Sequence, residues 1–337
     1  MHRGGCVTDV PGIRIGHYQR RGTHWRTGTT VVLLPPGCTA GVDVRGGGPG
    51  TRETDLLQPT ATIATAHAIC LTGGSAYGLA AAGGVMRFLE ERHIGFSVGP
   101  EPHAVVPLVP AAVIFDLGRG GAFVHRPDEA FGYRAAKAAR STPAANGAVG
   151  AGTGARAHGL QGGVGTCSTT LANGVVVAAV AVVNAVGSVI NPSTGLPWEA
   201  GSVALRRPSA SDRSALQAHL DAATPPLNTT IGVVTTTARL SKAECSKFAA
   251  VAHDGLARAV RPAHSLLDGD TIFGVATGRD EVDRTNSRAL NAVLEAGAQC
   301  FAAACTNAIV FAEATGTDPS YRDLCPTAFS RGFPSAR

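Results

Sequence analysis

Apolar and polar positions along the chain follow two different rhythms. Short runs rich in Val, Ile and Thr at 29–34, 175–183, 231–237 and 271–276, with a proline-interrupted run at 104–115, are too short for helices. Their β-branched content predicts strands buried on one or both faces. Residues 75–91 instead carry Leu79, Val85, Met86, Phe88 and Leu89 at mixed spacings of three and four, which lines one helical face. Residues 131–140, 242–260 and 287–304 repeat that rhythm. Ser241 followed by Glu244 forms a capping box that sets the start of the helix at 242. Strands and helices alternate without strict βαβ spacing, so the pattern predicts a layered α/β protein with stacked sheets between helices.

Glycine punctuates this order. The chain has 43 glycines, falling in bursts at 46–48, 73–74, 118–121, 147–154 and 162–165. Such bursts mark tight turns and places where backbone approaches backbone or ligand. One stretch departs from both rhythms: from Pro208 to Leu227 the chain turns polar and ends in Thr224-Pro225-Pro226, which predicts an exposed linker. It gives way abruptly to Asn228-Thr229-Thr230 and the apolar run at 231. A disposable loop meeting a core strand is where a self-cleavage site would sit.

Composition narrows the class. Of 337 residues, 44% are hydrophobic and only 16% charged, so much of the chain is expected to be buried, with one large domain over 1–337. The net charge of +5 arises from scattered residues, and the nearest cluster, Arg20, Arg21 and Arg26 with His17 and His24, is expected to be a solvated face. It lacks the aromatic interleaving or basic stripe that nucleic acid binding requires. No apolar leader follows Met1, and the run at 175–183 is about half a bilayer span, so a cytoplasmic protein without membrane contact is expected. The eight cysteines show no CxxC unit and are expected to be reduced, mostly buried thiols.

Four groups could carry chemistry. If the Asn228–Thr229 bond is cut, Thr229 gains a free α-amine with a pKa of about 8, a built-in general base for its own hydroxyl. On pattern alone, however, a threonine-rich strand start is commoner. Asp268-Gly269-Asp270 places two carboxylates at the mouth of the strand at 271, where they could hold that amine; an ordinary Asp-Gly turn reads the same way. One such pair, with His264 as the nearby imidazole, is too few ligands for a metal, and no cofactor is called for. Asn184, at the tip of the strongest apolar strand, has an amide suited to an oxyanion or simply to capping the strand. Leu71-Thr72-Gly73-Gly74-Ser75-Ala76-Tyr77 brings backbone N–H groups and a phenol to a helix start without matching a phosphate-binding loop.

Taken in order, Gly41-Val42-Asp43-Val44-Arg45-Gly46-Gly47, Leu71-Thr72-Gly73-Gly74-Ser75-Ala76-Tyr77-Gly78-Leu79, Pro110-Ala111-Ala112-Val113-Ile114-Phe115-Asp116 and Gly150-Ala151-Gly152-Thr153-Gly154 resemble the L-aminopeptidase/D-esterase (DmpA-type) peptidases. Asn228-Thr229-Thr230-Ile231 and Asp268-Gly269-Asp270-Thr271-Ile272-Phe273 are similar to the nylon-oligomer (6-aminohexanoate-oligomer) hydrolase branch. The resemblance implies a four-layer α/β/β/α sandwich like that of N-terminal-nucleophile hydrolases. It also implies autocleavage into 1–228 and 229–337, with the two chains staying together and assembling further, commonly as tetramers. By the same resemblance Thr229 is the nucleophile, Asp268 and Asp270 the paired aspartates, Asn184 the oxyanion asparagine and Tyr77 the site tyrosine. Where the family tends to carry a site lysine, this chain has Gln161, so that charged role does not transfer. The implied function is an autoprocessed amidohydrolase or peptidase acting on small amide or peptide substrates. A non-catalytic binding protein of the same fold, or an acetyltransferase of the ornithine acetyltransferase type, is the alternative.

Overall fold

In the computed structural model, which describes residues 4–223 and 228–330, fourteen strands and seven helices follow one another along the chain. The strands are β1 (Arg14–Gly22), β2 (Trp25–Leu33), β3 (Thr39–Val44), β4 (Thr51–Arg52), β5 (Ala68–Thr72), β6 (Phe96–Ser97), β7 (Val105–Val106), β8 (Ala111–Val113), β9 (Arg156–Ala157), β10 (Leu160–Gln161), β11 (Gly163–Thr170), β12 (Val176–Asn184), β13 (Thr229–Ala238) and β14 (Thr271–Asp280). The helices are α1 (Ser75–Gly78), α2 (Ala81–Glu90), α3 (Glu129–Ala138), α4 (Ala210–Ala222), α5 (Lys242–Ala259), α6 (Ser287–Val310) and α7 (Tyr321–Leu324).

Two five-stranded sheets carry the architecture, one ordered β1-β2-β5-β8-β4 and the other β11-β12-β13-β14-β3. The period-2 alternation of their strands shows how they stack. Along β12, Ala178, Val180 and Val182 join a core shared with Val32, Ile69, Leu71 and Ile114 of the first sheet. Val177, Ala179, Ala181 and Val183 between them pack with Phe248 and Leu256 of α5 and Phe301 and Ala304 of α6. On the outer side of the first sheet, Val31, Leu33 and Cys70 pack with Val85 and Leu89 of α2 and Ala135 of α3. The order is therefore helices, sheet, sheet, helices: the expected α/β/β/α sandwich. Glycines let these layers close up. A Cβ on Gly165 would lie 1.9 Å from the Ala304 carbonyl oxygen of α6, and one on Gly274 would lie 2.2 Å from that of Cys245 in α5.

Some expected elements change. The run 75–91 is two helices, α1 and α2, separated by Leu79 and Ala80. The run 104–115 yields only the short β7 and β8, because its prolines withhold ladder donors. The predicted linker is a correction: residues 210–222 form α4, capped by the Ser209 hydroxyl accepting the Asp212 N–H at 3.1 Å. Its Leu216 and Leu220 join the helix-side core, an apolar stripe too narrow to stand out in a polar sequence. The Thr224-Pro225-Pro226-Leu227 end of that stretch lies outside the described residues. Helix α6 has the length and hydropathy to cross a membrane, but 89% of its apolar window is buried inside the fold, which makes it a core helix. All eight cysteines are buried, and none forms a disulfide.

Candidate active site

The site forms where β13 begins. Strands β12 and β13 pair antiparallel with Asn184 opposite Thr229. Ile231 and Val233 face the first sheet, as do Val180 and Val182, so by parity Thr229 and Asn184 also project between the two sheets. A cavity of ≈ 170 Å³ opens at this point, lined by Gly48, Pro49, Ser75, Asn228, Thr229 and Leu266 among others.

Thr229 is 5% exposed, and its hydroxyl donates a hydrogen bond to the carbonyl oxygen of Asn228, the acyl side of its own preceding peptide bond. The Gly269 N–H donates to the same hydroxyl oxygen at 3.2 Å. A Cβ on Gly269 would fall 2.6 Å from the Gly48 carbonyl oxygen and 2.9 Å from Thr229 Oγ1, so this approach requires glycine. The burst at 46–48 grips the same loop, with Gly48 N–H donating to the Asp268 carbonyl at 2.8 Å and Gly46 N–H to that of Asp270 at 3.3 Å.

The paired aspartates stand on either side of Gly269 and do different things. Asp270 accepts the Thr230 N–H at 2.7 Å through one oxygen, and the His264 N–H and imidazole Nδ1 at 3.2 and 2.8 Å through the other. Asp268 accepts the Ser265 N–H and hydroxyl, at 3.0 and 2.6 Å, and the Val186 N–H at 3.2 Å. Burial raises the Asp268 pKa above the ordinary carboxylate range, with the neighbouring Asp270 adding to it and the Ser265 hydroxyl opposing. The two carboxylates thus hold the strand mouth and its loop around Thr229.

Asn184 is fully buried. Its Oδ1 accepts from Arg119 Nη1 and, at 3.0 Å, from the Arg156 N–H. Both partners can only donate, so the oxygen must face them and the amide cannot flip. Its Nδ2 is then directed away, buried and without a partner among the described residues. A desolvated, unpaired N–H is costly unless a negative charge comes to it, which suits an oxyanion donor.

Arg119 is the residue that sequence reasoning did not single out. It lies on the loop after β8, where its Nη1 also donates to the Gly154 carbonyl at 2.8 Å and its Nη2 donates to the Asn228 side-chain oxygen at 3.2 Å. Burial lowers its pKa to about 10, against the opposing pull of Asp116, so it stays charged at neutral pH. Asp116 accepts the Gly74 N–H at 2.7 Å and is pushed up to about 6 by burial, with Thr27, Gly74 and Arg119 resisting. The available signal was a lone cation, Arg119, inside the glycine burst that follows Asp116.

Gln161, at the position of the implied lysine, is fully buried and saturated. Its Oε1 accepts from Arg26 Nη2 at 2.8 Å, and its Nδ-equivalent amide, Nε2, donates to the carbonyls of Ala155 and Gly162 at 3.0 and 2.9 Å. The structure therefore brings Thr229, Asn184, Asp268 and Asp270 together around the Asn228–Thr229 bond. Tyr77 follows Ser75 and Ala76, which line the cavity; it is itself 54% exposed, with the Arg126 guanidinium carbon 3.7 Å from its ring centroid. Among the described residues, no three His, Cys, Asp or Glu side chains gather as a metal-binding set.

Comparison with known proteins fits this geometry. The profile of Peptidase family S58 matches residues 5–320. A Mycobacterium tuberculosis protein named as an uncharacterized aminopeptidase is 50% identical over 344 residues, covering 96% of this chain and 98% of its own. A 6-aminohexanoate-oligomer endohydrolase of Kocuria sp. (strain KY2) is 34% identical over 286 residues, 82% of this chain and 75% of its own. Among solved structures, a Burkholderia sp. beta-aminopeptidase superposes with a TM-score of 0.70 at 23% identity, over 98% of this chain and 95% of that one. The L-aminopeptidase D-Ala-esterase/amidase of Ochrobactrum anthropi, described as a variant of the Ntn hydrolase fold, gives a TM-score of 0.70 at 19% identity, over 93% and 88%. The last two are evidence of a shared fold.

Proposed function

The chain belongs to peptidase family S58, whose members hydrolyse peptide and amide bonds, and on that premise we propose that it cuts itself between Asn228 and Thr229. The freed Thr229 then serves as an N-terminal nucleophile. The observation that carries this reading is the Thr229 hydroxyl hydrogen-bonded to the carbonyl of its own preceding residue, opposite an asparagine whose Nδ2 has no partner among the described residues.

In self-cleavage, Thr229 Oγ1 gives up its proton and bonds to the Asn228 carbonyl carbon, that proton passes to the Thr229 nitrogen, and the carbonyl oxygen takes up negative charge for which the Asn184 amide is the proposed donor. The Thr229 nitrogen is protonated and leaves as an amine, giving an ester that water resolves to the Asn228 carboxylate and free Thr229. In turnover, that amine removes the hydroxyl proton as Oγ1 attacks the substrate amide, and water hydrolyses the acyl-enzyme. Asp270, through the Thr230 N–H, keeps the start of β13 in place throughout.

The two pieces would remain one body. In the second sheet β13 and β14, from the later piece, lie between β12 and β3, from the earlier one. Cleavage at the mouth of β13 leaves both ladders intact. The test is denaturing electrophoresis with N-terminal sequencing: the expected result is two chains, the smaller beginning at Thr229, that co-elute under native conditions. Thr229→Ala should leave one intact chain with no hydrolysis of p-nitroanilides, and an active, uncut wild-type chain would refute the proposal.

A further inference from the structure

In the uncut chain the cavity already contains an acyl group, because Asn228 stands on the acyl side of the bond that Thr229 faces. Asn228 is 2% exposed and held at two points: its N–H donates to the Leu267 carbonyl, and its side-chain oxygen accepts from Arg119 Nη2, both at 3.2 Å. The other arm of Arg119 is occupied by Gly154 and Asn184. When Asn228 departs, Arg119 Nη2 loses its acceptor in a partly buried site, where leaving a charged donor unpaired is costly.

An incoming substrate must set its carbonyl carbon over the same Oγ1, so the substituent on its α-carbon falls where the Asn228 side chain was. Resting on the self-cleavage reading, we infer that the acyl subsite of the mature protein selects acyl groups bearing a carbonyl or carboxylate on the β-carbon. Asparaginyl and aspartyl amides meet that description; leucyl, close to asparaginyl in shape but with no acceptor, leaves Arg119 Nη2 unpaired. Sites built to bond a polar group discriminate strongly against analogues that lack it, and a preference of about 10-fold or more is expected.

Two measurements test this on the full-length protein. In the first, wild type, Asn228→Asp and Asn228→Leu are followed for appearance of the Thr229 chain. Asparagine and aspartate should cut at comparable rates and leucine about 10-fold slower or worse. In the second, the mature protein is given asparaginyl, aspartyl, leucyl and alanyl p-nitroanilides; kcat/KM should favour the first two by a similar factor. Arg119→Met should bring the asparaginyl-to-leucyl ratio towards one whatever it does to the absolute rate, and Arg119→Lys should restore part of the ratio. A wild-type chain that never cuts at Thr229 overturns the self-cleavage reading and this one with it. Cutting that is indifferent to residue 228, or a mature protein that takes leucyl as readily as asparaginyl amides, leaves self-cleavage standing and overturns the acyl preference.

Discussion

Two guanidinium groups, that of the buried Arg26 and that of the half-buried Arg119, stand close enough to feel each other's charge, yet their surroundings differ. Arg26 donates to Asp318 at 2.9 Å, to Gln161 at 2.8 Å and to the Thr315 hydroxyl at 2.9 Å, so each of its nitrogens has a fixed partner and its charge a direct carboxylate. Arg119 donates to neutral oxygens of Gly154, Asn184 and Asn228, with Asp116 nearby as the countercharge. A saturated ion pair locks structure in place. A half-buried cation held by neutral groups, one of them the Asn228 side chain, keeps interaction energy in reserve for a group that arrives later. The difference also bears on Gln161: the place of the implied lysine is occupied by a residue committed to Arg26, while Arg119 brings a positive charge to Asn184 and Asn228.

The contrast predicts that one arginine shows its loss in stability and the other in rate. Arg26→Met should cost about 4 kcal/mol of unfolding free energy, because Asp318 loses a buried partner and keeps only the Arg156 contact at 2.9 Å. The urea midpoint measures this, and the molecules that remain folded should hydrolyse amides at near the wild-type rate.

Asp116 supplies the next largest effect. Its pKa is raised by burial to about 6, so the folded chain holds that proton more tightly than the unfolded one. The stability it contributes is complete below about pH 4 and is lost as pH rises to about 6, a change of about 3 kcal/mol. The stability difference between wild type and Asp116→Asn, followed from pH 4 to 7, should fall over that window and then level off. A flat difference would show that Arg119 and the Thr27 and Gly74 hydrogen bonds offset the burial of Asp116 in full, so that its pKa is not raised.

On the proposed mechanism, Arg119→Met should lower kcat about 100-fold, since the Asn184 amide loses one of the two donors that orient it and a misplaced oxyanion donor costs about that much. Its cost in stability should be near 1 kcal/mol, the value of bonds to neutral acceptors. An unfolding cost above that of Arg26→Met, with an unchanged rate per folded molecule, would erase the distinction between the two residues.

Much of the neighbourhood could be read in the chain. Strands β12, β13 and β14 were visible as β-branched runs, and Ser241 does cap α5, its hydroxyl accepting the Glu244 N–H at 3.3 Å. The Asp268-Gly269-Asp270 turn does sit at the mouth of a strand beside Thr229. Less visible was β1, whose Arg14, Gln19, Arg20 and Arg21 belong to an edge strand with little apolar pattern. Helix α4 was hidden because two buried leucines suffice to dock it. Arg26, grouped by sequence with Arg20 and Arg21 as a solvated face, is instead 4% exposed, since alternation along β2 turns it inward to Asp318, far along the chain.

By itself the sequence determined what depends on local order: the period-2 runs that become the central strands, the parity that puts Asn184 and Thr229 on chosen faces of them, and the glycines that permit close approach. Only the tertiary structure decided which cation stands over the Asn228 side chain and which way the Asn184 amide points. Arg119 reaches both across the gap between the two sheets, from a loop distant in sequence. Stacking of sheets is the sum of many weak apolar contacts between remote residues, and no local pattern along the chain records which polar groups that sum brings face to face.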